Sequence, residues 1–260
     1  GLNIAHECID RHVDGERPAV IVIQADGHDE ILSFRQIADD SARFAHYLAE
    51  QGVKAGDRVA IMLEPSRAFY MAVFGAIKLG AIAVPLFTLF GPDGVKLRID
   101  DCTPRLLVTN AEKAALVPPT PELGIVVADQ PFIAGLERFS PRFAPATRAD
   151  DLAIFQYTSG TTRALPEAVR HTHRAVVTLM VAALYGTGLR PGDRFFCPSS
   201  PAWGHGLWHG TLAPLALGIT VGTYAGKFDA ERALPLMFQM VRSMLGIAAA
   251  SELTLSEIES

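Results

Sequence analysis

Apolar residues in this chain alternate between two spacings, one helical and one extended. Phe34, Ile37, Ala38, Ala45 and Leu48 fall on one helical face. Ser33-Phe34-Arg35-Gln36 ahead of them has capping-box spacing, with a hydroxyl at the N-cap and Gln three residues on. Gly52 supplies a left-handed residue to close that helix. After the turn Ala55-Gly56-Asp57, the continuous run Val59-Ala60-Ile61-Met62-Leu63 predicts a strand buried on both faces. A second helix is predicted from about Arg67 to Leu79, ending at Gly80, followed by the strand Ala81-Ile82-Ala83-Val84. Leu106 to Thr109 and Ile125 to Ala128 read as further buried strands. Strands alternating with helices predict an α/β fold built on a mostly parallel sheet with helices on both faces.

Val117-Pro118-Pro119-Thr120-Pro121 reads as a stiff loop, and the stretch from Gln130 to Asp151, with three prolines, as a linker. An internal repeat divides the chain further. Gly52 to Val59 (GVKAGDRV) matches Gly188 to Phe195 (GLRPGDRF), and Lys78 to Ile82 (KLGAI) echoes Ala216 to Thr220 (ALGIT). Each copy reads as helix, turn, strand, helix, strand, so two repeated layered units are expected, the second incomplete. The boundaries drawn are 1–150 for a first α/β subdomain and 151–260 for a partial second one.

Composition narrows the function. With a formal net charge of −5 and dispersed lysines and arginines, the chain lacks the basic face that marks a nucleic-acid partner. Three cysteines, Cys8, Cys102 and Cys197, form no CxxC pair and no even disulfide framework. They read as free thiols in a reducing cytoplasm. Gly1 to Glu7 has neither the basic flank nor the apolar core of a secretory signal. Met71 to Phe90 is apolar enough to suggest a membrane span, but Lys78, two glycines and Pro85 interrupt it, so it reads as buried α/β core.

The segment that carries chemistry is Leu152 to Thr162 (LAIFQYTSGTT), an apolar strand running into a loop of small hydroxyl residues around Gly160. Such a loop lets backbone N–H groups and hydroxyls approach a phosphate closely. Tyr157-Thr158-Ser159-Gly160-Thr161-Thr162, followed by Pro166, Val169 and His171-Thr172-His173-Arg174, resembles the phosphate-binding signature of the AMP-forming (adenylate-forming) acyl-CoA synthetases. Asn3-Ile4-Ala5, the Ser33-Phe34 helix, Gly56 to Ala60, and Lys78 through Leu86 also resemble the first half of that family. Pro201-Ala202-Trp203-Gly204-His205-Gly206 is similar to its acetyl-CoA and medium-chain subgroups. The resemblance covers the chain to about Phe228.

That resemblance implies a two-step reaction in which a carboxylate attacks the α-phosphate of Mg-ATP and the thiol of coenzyme A then displaces AMP. It assigns the β- and γ-phosphates to Thr158, Ser159, Gly160, Thr161 and Thr162. It assigns the acyl pocket to Trp203, Gly204 and His205, with ATP, Mg2+ and coenzyme A as cofactors and a small or medium carboxylic acid as partner. Neither nucleic acid nor a membrane is implied. Two departures stand out. The family loop continues Gly-x-Pro-Lys-Gly, whereas here Arg163-Ala164-Leu165-Pro166-Glu167-Ala168 is one residue longer and has Glu167 at the lysine position. A carboxylate about 4 Å from a phosphate costs on the order of 4 kcal/mol at surface-like dielectric, so Arg163 is expected to replace the lysine charge, or the site has decayed. The family's Tyr-Gly-x-Thr-Glu motif, ribose-binding Asp, hinge and adenylation lysine do not occur before Ser260, and the resemblance fades from Leu234. Three readings follow: an amino-terminal portion of an acyl-CoA synthetase, weak or inactive alone; an adenylation domain that loads a carrier protein; and a non-catalytic nucleotide- or partner-binding remnant. Open sheet edges would favour association between chains.

Other constellations are weaker. His171 with His173, and His205 with His209, lack an acid or cysteine at zinc-ligand spacing, and glycines 204, 206 and 210 weaken the helix that would align the second pair. Ser199-Ser200 has no G-x-S-x-G elbow around it. Phe69, Tyr70, Phe74 and Phe87 read as core packing, as does Trp208.

Overall fold

The computed structural model describes residues 1–24, 28–157 and 167–226. The chain opens with α1 (Ile4–Cys8) and a 3-10 turn (Asp10–His12), then β1 (Pro18–Gln24) and β2 (Asp29–Ser33) form an antiparallel hairpin that the apolar spacing did not reveal. Next come α2 (Phe34–Glu50), β3 (Arg58–Met62), α3 (Arg67–Leu79), β4 (Ile82–Pro85), α4 (Pro92–Cys102), β5 (Leu106–Thr109), α5 (Ala111–Ala114) and β6 (Gly124–Val127). The elements expected from the sequence begin and end within a residue or so of these bounds, because local hydrogen bonds set them. The Ser33 hydroxyl accepts from the Gln36 N–H at 3.1 Å, and Gly80 closes α3 with φ at 84°.

The expected linker differs from the structure in its first part. Asp129 caps a helix, α6 (Gln130–Gly135), by accepting from the Phe132 N–H at 2.9 Å, and a 3-10 turn (Leu136–Arg138) follows. Phe132 and Phe139 then pack on Tyr47 of α2, so aromatic burial holds this strap in place. Only the stretch after it is irregular. The chain continues through β7 (Leu152–Tyr157), β8 (Ala168–Thr172), α7 (Ala175–Ala182), a π-helix (Ala183–Thr187), β9 (Arg194–Cys197), a second π-helix (His205–Leu212), α8 (Ala213–Ala216) and β10 (Thr220–Ala225).

Among the described residues the strands form two mixed, mostly parallel sheets, ordered β2-β1-β10-β9 and β6-β5-β3-β4-β7-β8. Alternation sorts the side chains of β3. Val59 and Ile61 enter a core shared with α1, α2, α3, α8 and β1, whereas Ala60 and Met62 face α4 through Val95, Ile99 and Cys102. One helical layer therefore lies between the sheets and another covers the outer face of the six-stranded sheet. Strands from both sides of residue 150 share each sheet, since β7 enters beside β4 and β10 beside β1.

The repeat is visible in three dimensions. Gly52, Gly56 and Gly80 have φ of 76°, 84° and 84°, and their counterparts Gly188, Gly192 and Gly218 have 79°, 95° and 70°. Asp57 accepts from the Lys54 N–H at 2.8 Å, and Asp193 accepts from the Arg190 N–H at 2.7 Å. Arg58 pairs with Ile82 across β3 and β4, and the counterpart Arg194 pairs with Thr220 across β9 and β10, both parallel. The same turn thus leads to the same strand register twice.

Candidate functional site

In a parallel sheet, the loops that bind ligands leave the carboxyl ends of the strands. Four such ends converge here. Glu64 follows β3, Thr88 follows β4, the Trp203 segment follows β9, and Gly226 follows β10. The Thr88 hydroxyl donates to Glu64 Oε1, and the Gly226 N–H donates to Glu64 Oε2 at 3.3 Å, so one carboxylate ties the two sheets together.

Thr158, Ser159, Gly160, Thr161 and Thr162 lie outside the described residues, as does Arg163. The strand that delivers them, β7, ends in Gln156 and Tyr157, both buried. Glu167, at the position where the resemblance expects a lysine, is exposed. Tyr157 is fixed by its hydroxyl, which donates to Asp101 Oδ2 at 2.5 Å with the Arg98 carbonyl also within 3.1 Å. Burial and the neighbouring Asp101 carboxylate raise its pKa, so the phenol stays protonated.

Trp203 is half-buried and its ring packs on Phe87, centroids 5.0 Å apart, with Phe90 at 6.4 Å. Phe87, read from the sequence as core packing, is instead half-buried and part of an aromatic wall at the end of β4. The Arg98 guanidinium lies over the Phe90 ring, 3.6 Å from its centroid. Gly204 has open space where a Cβ would stand, and His205 is exposed. Trp208 is buried in the core as expected, 4.4 Å from the ring of His171. Contrary to the expectation that nearby glycines would spoil the helix, His205 and His209 are aligned on the second π-helix, with ring centroids 5.6 Å apart. The described residues hold no cluster of three or more His, Cys, Asp or Glu placed to share a metal ion. Cys8, Cys102 and Cys197 are buried and unbridged, and burial raises the Cys102 thiol to about 11.

The glycines that flank Trp203 have different reasons. A Cβ on Gly206 would come within 2.1 Å of the Ser200 carbonyl oxygen and 2.4 Å of that of Ser199, both backbone atoms with little room to move. Gly206→Ala is expected to cost about 2 kcal/mol of stability, whereas Gly204→Ala should stay within about 0.5 kcal/mol of the parent. Urea midpoints of the two variants measure this, and equal midpoints would contradict it.

Sequence reasoning missed Gln156. It is 2 % exposed, its Nε2 donates to the Ala202 carbonyl at 2.6 Å, and its Oε1 has no partner among the described residues. The available signal was a lone amide in the apolar run of β7. A cleft of about 530 Å³, lined by Asn3, His6, Asp10, Lys78 and Arg142 among others, shares no residue with this constellation.

Comparison with known proteins brings these features together. Residues 9–245 match the AMP-binding enzyme family. The likeness therefore continues past Phe228 and Leu234, where recognisable motifs give out but position-by-position similarity does not. The chain is 31% identical over 251 residues to acetyl-coenzyme A synthetase of Bacillus subtilis, covering 88% of this chain and 43% of that protein. It is 30% identical over 250 residues to a 3-hydroxybenzoate/4-hydroxybenzoate CoA ligase of Thauera aromatica, covering 90% and 47%. Among solved structures, an acyl-CoA synthetase of Brucella canis superposes with a TM-score of 0.83 at 31% identity, over 92% of this chain and 46% of that one. The chain thus spans under half the length of the relatives it matches.

Proposed function

Since the chain belongs to the AMP-binding enzyme family, we propose that it supplies the phosphate-binding and acid-binding part of an enzyme that activates a small or medium carboxylic acid with ATP. A carboxylate oxygen attacks the α-phosphorus, the bond to the α,β-bridging oxygen breaks, and pyrophosphate leaves. The thiolate of coenzyme A then attacks the acyl carbon of the adenylate and AMP departs. Relatives named for acetate and for hydroxybenzoates support a short or aromatic acid.

The observation that carries this reading is the Gln156–Ala202 hydrogen bond, which brings the segment bearing Trp203 to the end of the strand that feeds the hydroxyl-rich loop. In this reading Thr158 to Thr162 donate to the β- and γ-phosphates, stabilising charge where it develops. Trp203 and Gly204, with Phe87 and Phe90 behind them, line the acid, and His205 stands at its rim. Mg2+ would enter with the triphosphate and neutralise part of its charge. The described residues include no helix long and apolar enough to cross a membrane. Glu167 favours a second reading, in which nucleotide binds without turnover, because a carboxylate replaces a loop cation.

Replacing Thr161 and Thr162 together by alanine is expected to weaken Mg-ATP binding by about tenfold or more, two charge-assisted hydrogen bonds being lost. Calorimetry on the parent and the double variant tests this, and unchanged affinity would remove the loop from the site. Acid-dependent ATP–pyrophosphate exchange by the 260-residue chain is expected to be weak or absent, and robust exchange would set aside the second reading.

A further inference from the structure

Gln156 is the polar residue of β7 that packing alone does not account for. Its neighbours Phe155 and Tyr157 face the core covered by α4, and Ile154 faces the core between the sheets. A leucine or methionine at 156 would fill the same volume without desolvating an amide. Instead the Nε2 reaches 46 residues along the chain to the Ala202 carbonyl at 2.6 Å, with the Tyr157 carbonyl a longer 3.4 Å away, while Oε1 is left without a donor among the described residues. Buried amides left half-satisfied are uncommon in proteins and call for a reason beyond burial.

Its position supplies that reason. Gln156 stands one residue before the last position of β7, directly upstream of the loop. Ala202 is bonded to Trp203, whose N–H donates to the Ser200 carbonyl at 2.9 Å and whose ring rests on Phe87. The Gln156 side chain and its one short hydrogen bond therefore form a direct link from the end of β7 to the carbonyl next to Trp203. We infer that Gln156 is a positioning residue that couples nucleotide occupancy at the end of β7 to the placement of Trp203. This rests on the function proposed above. Such coupling is reciprocal, so an acid that orders the Trp203 segment tightens nucleotide binding through the same bond.

The chain contains two tryptophans, so Trp208→Phe leaves Trp203 as the sole tryptophan emitter. In that background the full chain is titrated with Mg-ATP, followed both by calorimetry and by Trp203 emission. Expected is an emission change with the calorimetric midpoint in the parent, lost in Gln156→Met although Mg-ATP still binds with similar affinity. Gln156→Asn, which keeps a donor and an acceptor, should restore part of the change. If Gln156→Met does not fold, Gln156→Glu carries the same expectation, because it keeps the volume and loses the donor to Ala202. A full emission response in Gln156→Met, or none in a parent that binds Mg-ATP, would overturn the coupling alone. Absence of binding heat in the parent would overturn the coupling together with the proposed function.

Discussion

Replacing Asp10 by alanine is expected to destabilise the fold by about 3–5 kcal/mol, the range for leaving a buried charge without its partner. The Lys78 side chain, in the last turn of α3, is only 2 % exposed, and its ammonium lies 2.7 Å from Asp10 Oδ1. Its other acceptor is the Ala38 carbonyl of α2 at 2.9 Å. Burial pushes the lysine pKa down, and the Asp10 carboxylate beside it opposes that shift. Lys78→Met should cost much less, under about 2 kcal/mol, since methionine fills the space and Asp10 is exposed enough to be hydrated. Urea unfolding of both variants decides between desolvation and simple attraction, provided the m-values match. Equal losses would contradict a desolvation-dominated pair.

The second large effect is one of pH. His173 is fully buried in the turn between β8 and α7, its Nδ1 accepting from the Ile4 N–H at 3.1 Å. Its Nε2 has no partner among the described residues. Burial, partly offset by Asp151, pushes the imidazole down to about 4. The unfolded chain takes up this proton near pH 6.5 and the folded chain only near 4, so the stabilising contribution is intact above about 6.5. It is lost progressively as the pH falls between those values, by about 3 kcal/mol. Burial lowers His171 and His12 as well, with the same sign. His173→Asn retains an acceptor for Ile4 but cannot titrate. The difference in unfolding free energy between parent and variant should therefore shrink or reverse between about pH 7 and pH 4. Parallel loss in the two proteins would mean that this imidazole is not the source.

Much of the fold was legible because it is set locally. The Ser33 cap, the stop at Gly80 and the limits of Leu106–Thr109 depend on residues a few positions apart, and all stand where the apolar spacing put them. The paired Gly-x-x-x-Gly-Asp-Arg turns were also legible. Their equivalence reached further than sequence could indicate, into the shared register of β3 with β4 and β9 with β10. Less was legible at the candidate site. Trp203 and Gly204 drew notice by residue type and remain candidates, whereas Phe87, Arg98 and Gln156 look like ordinary core or surface residues until their contacts are known.

The sequence by itself therefore determined most of the elements and the repeat, because hydrogen-bond spacing and side-chain periodicity act over a few residues. The tertiary structure alone decided which strands share a sheet, that β1 lies beside β10, and that the Ala202 carbonyl meets Gln156. A strand's apolar faces require burial but do not specify against what. That choice falls to the packing of the helical layer between the sheets, which brings together residues far apart along the chain.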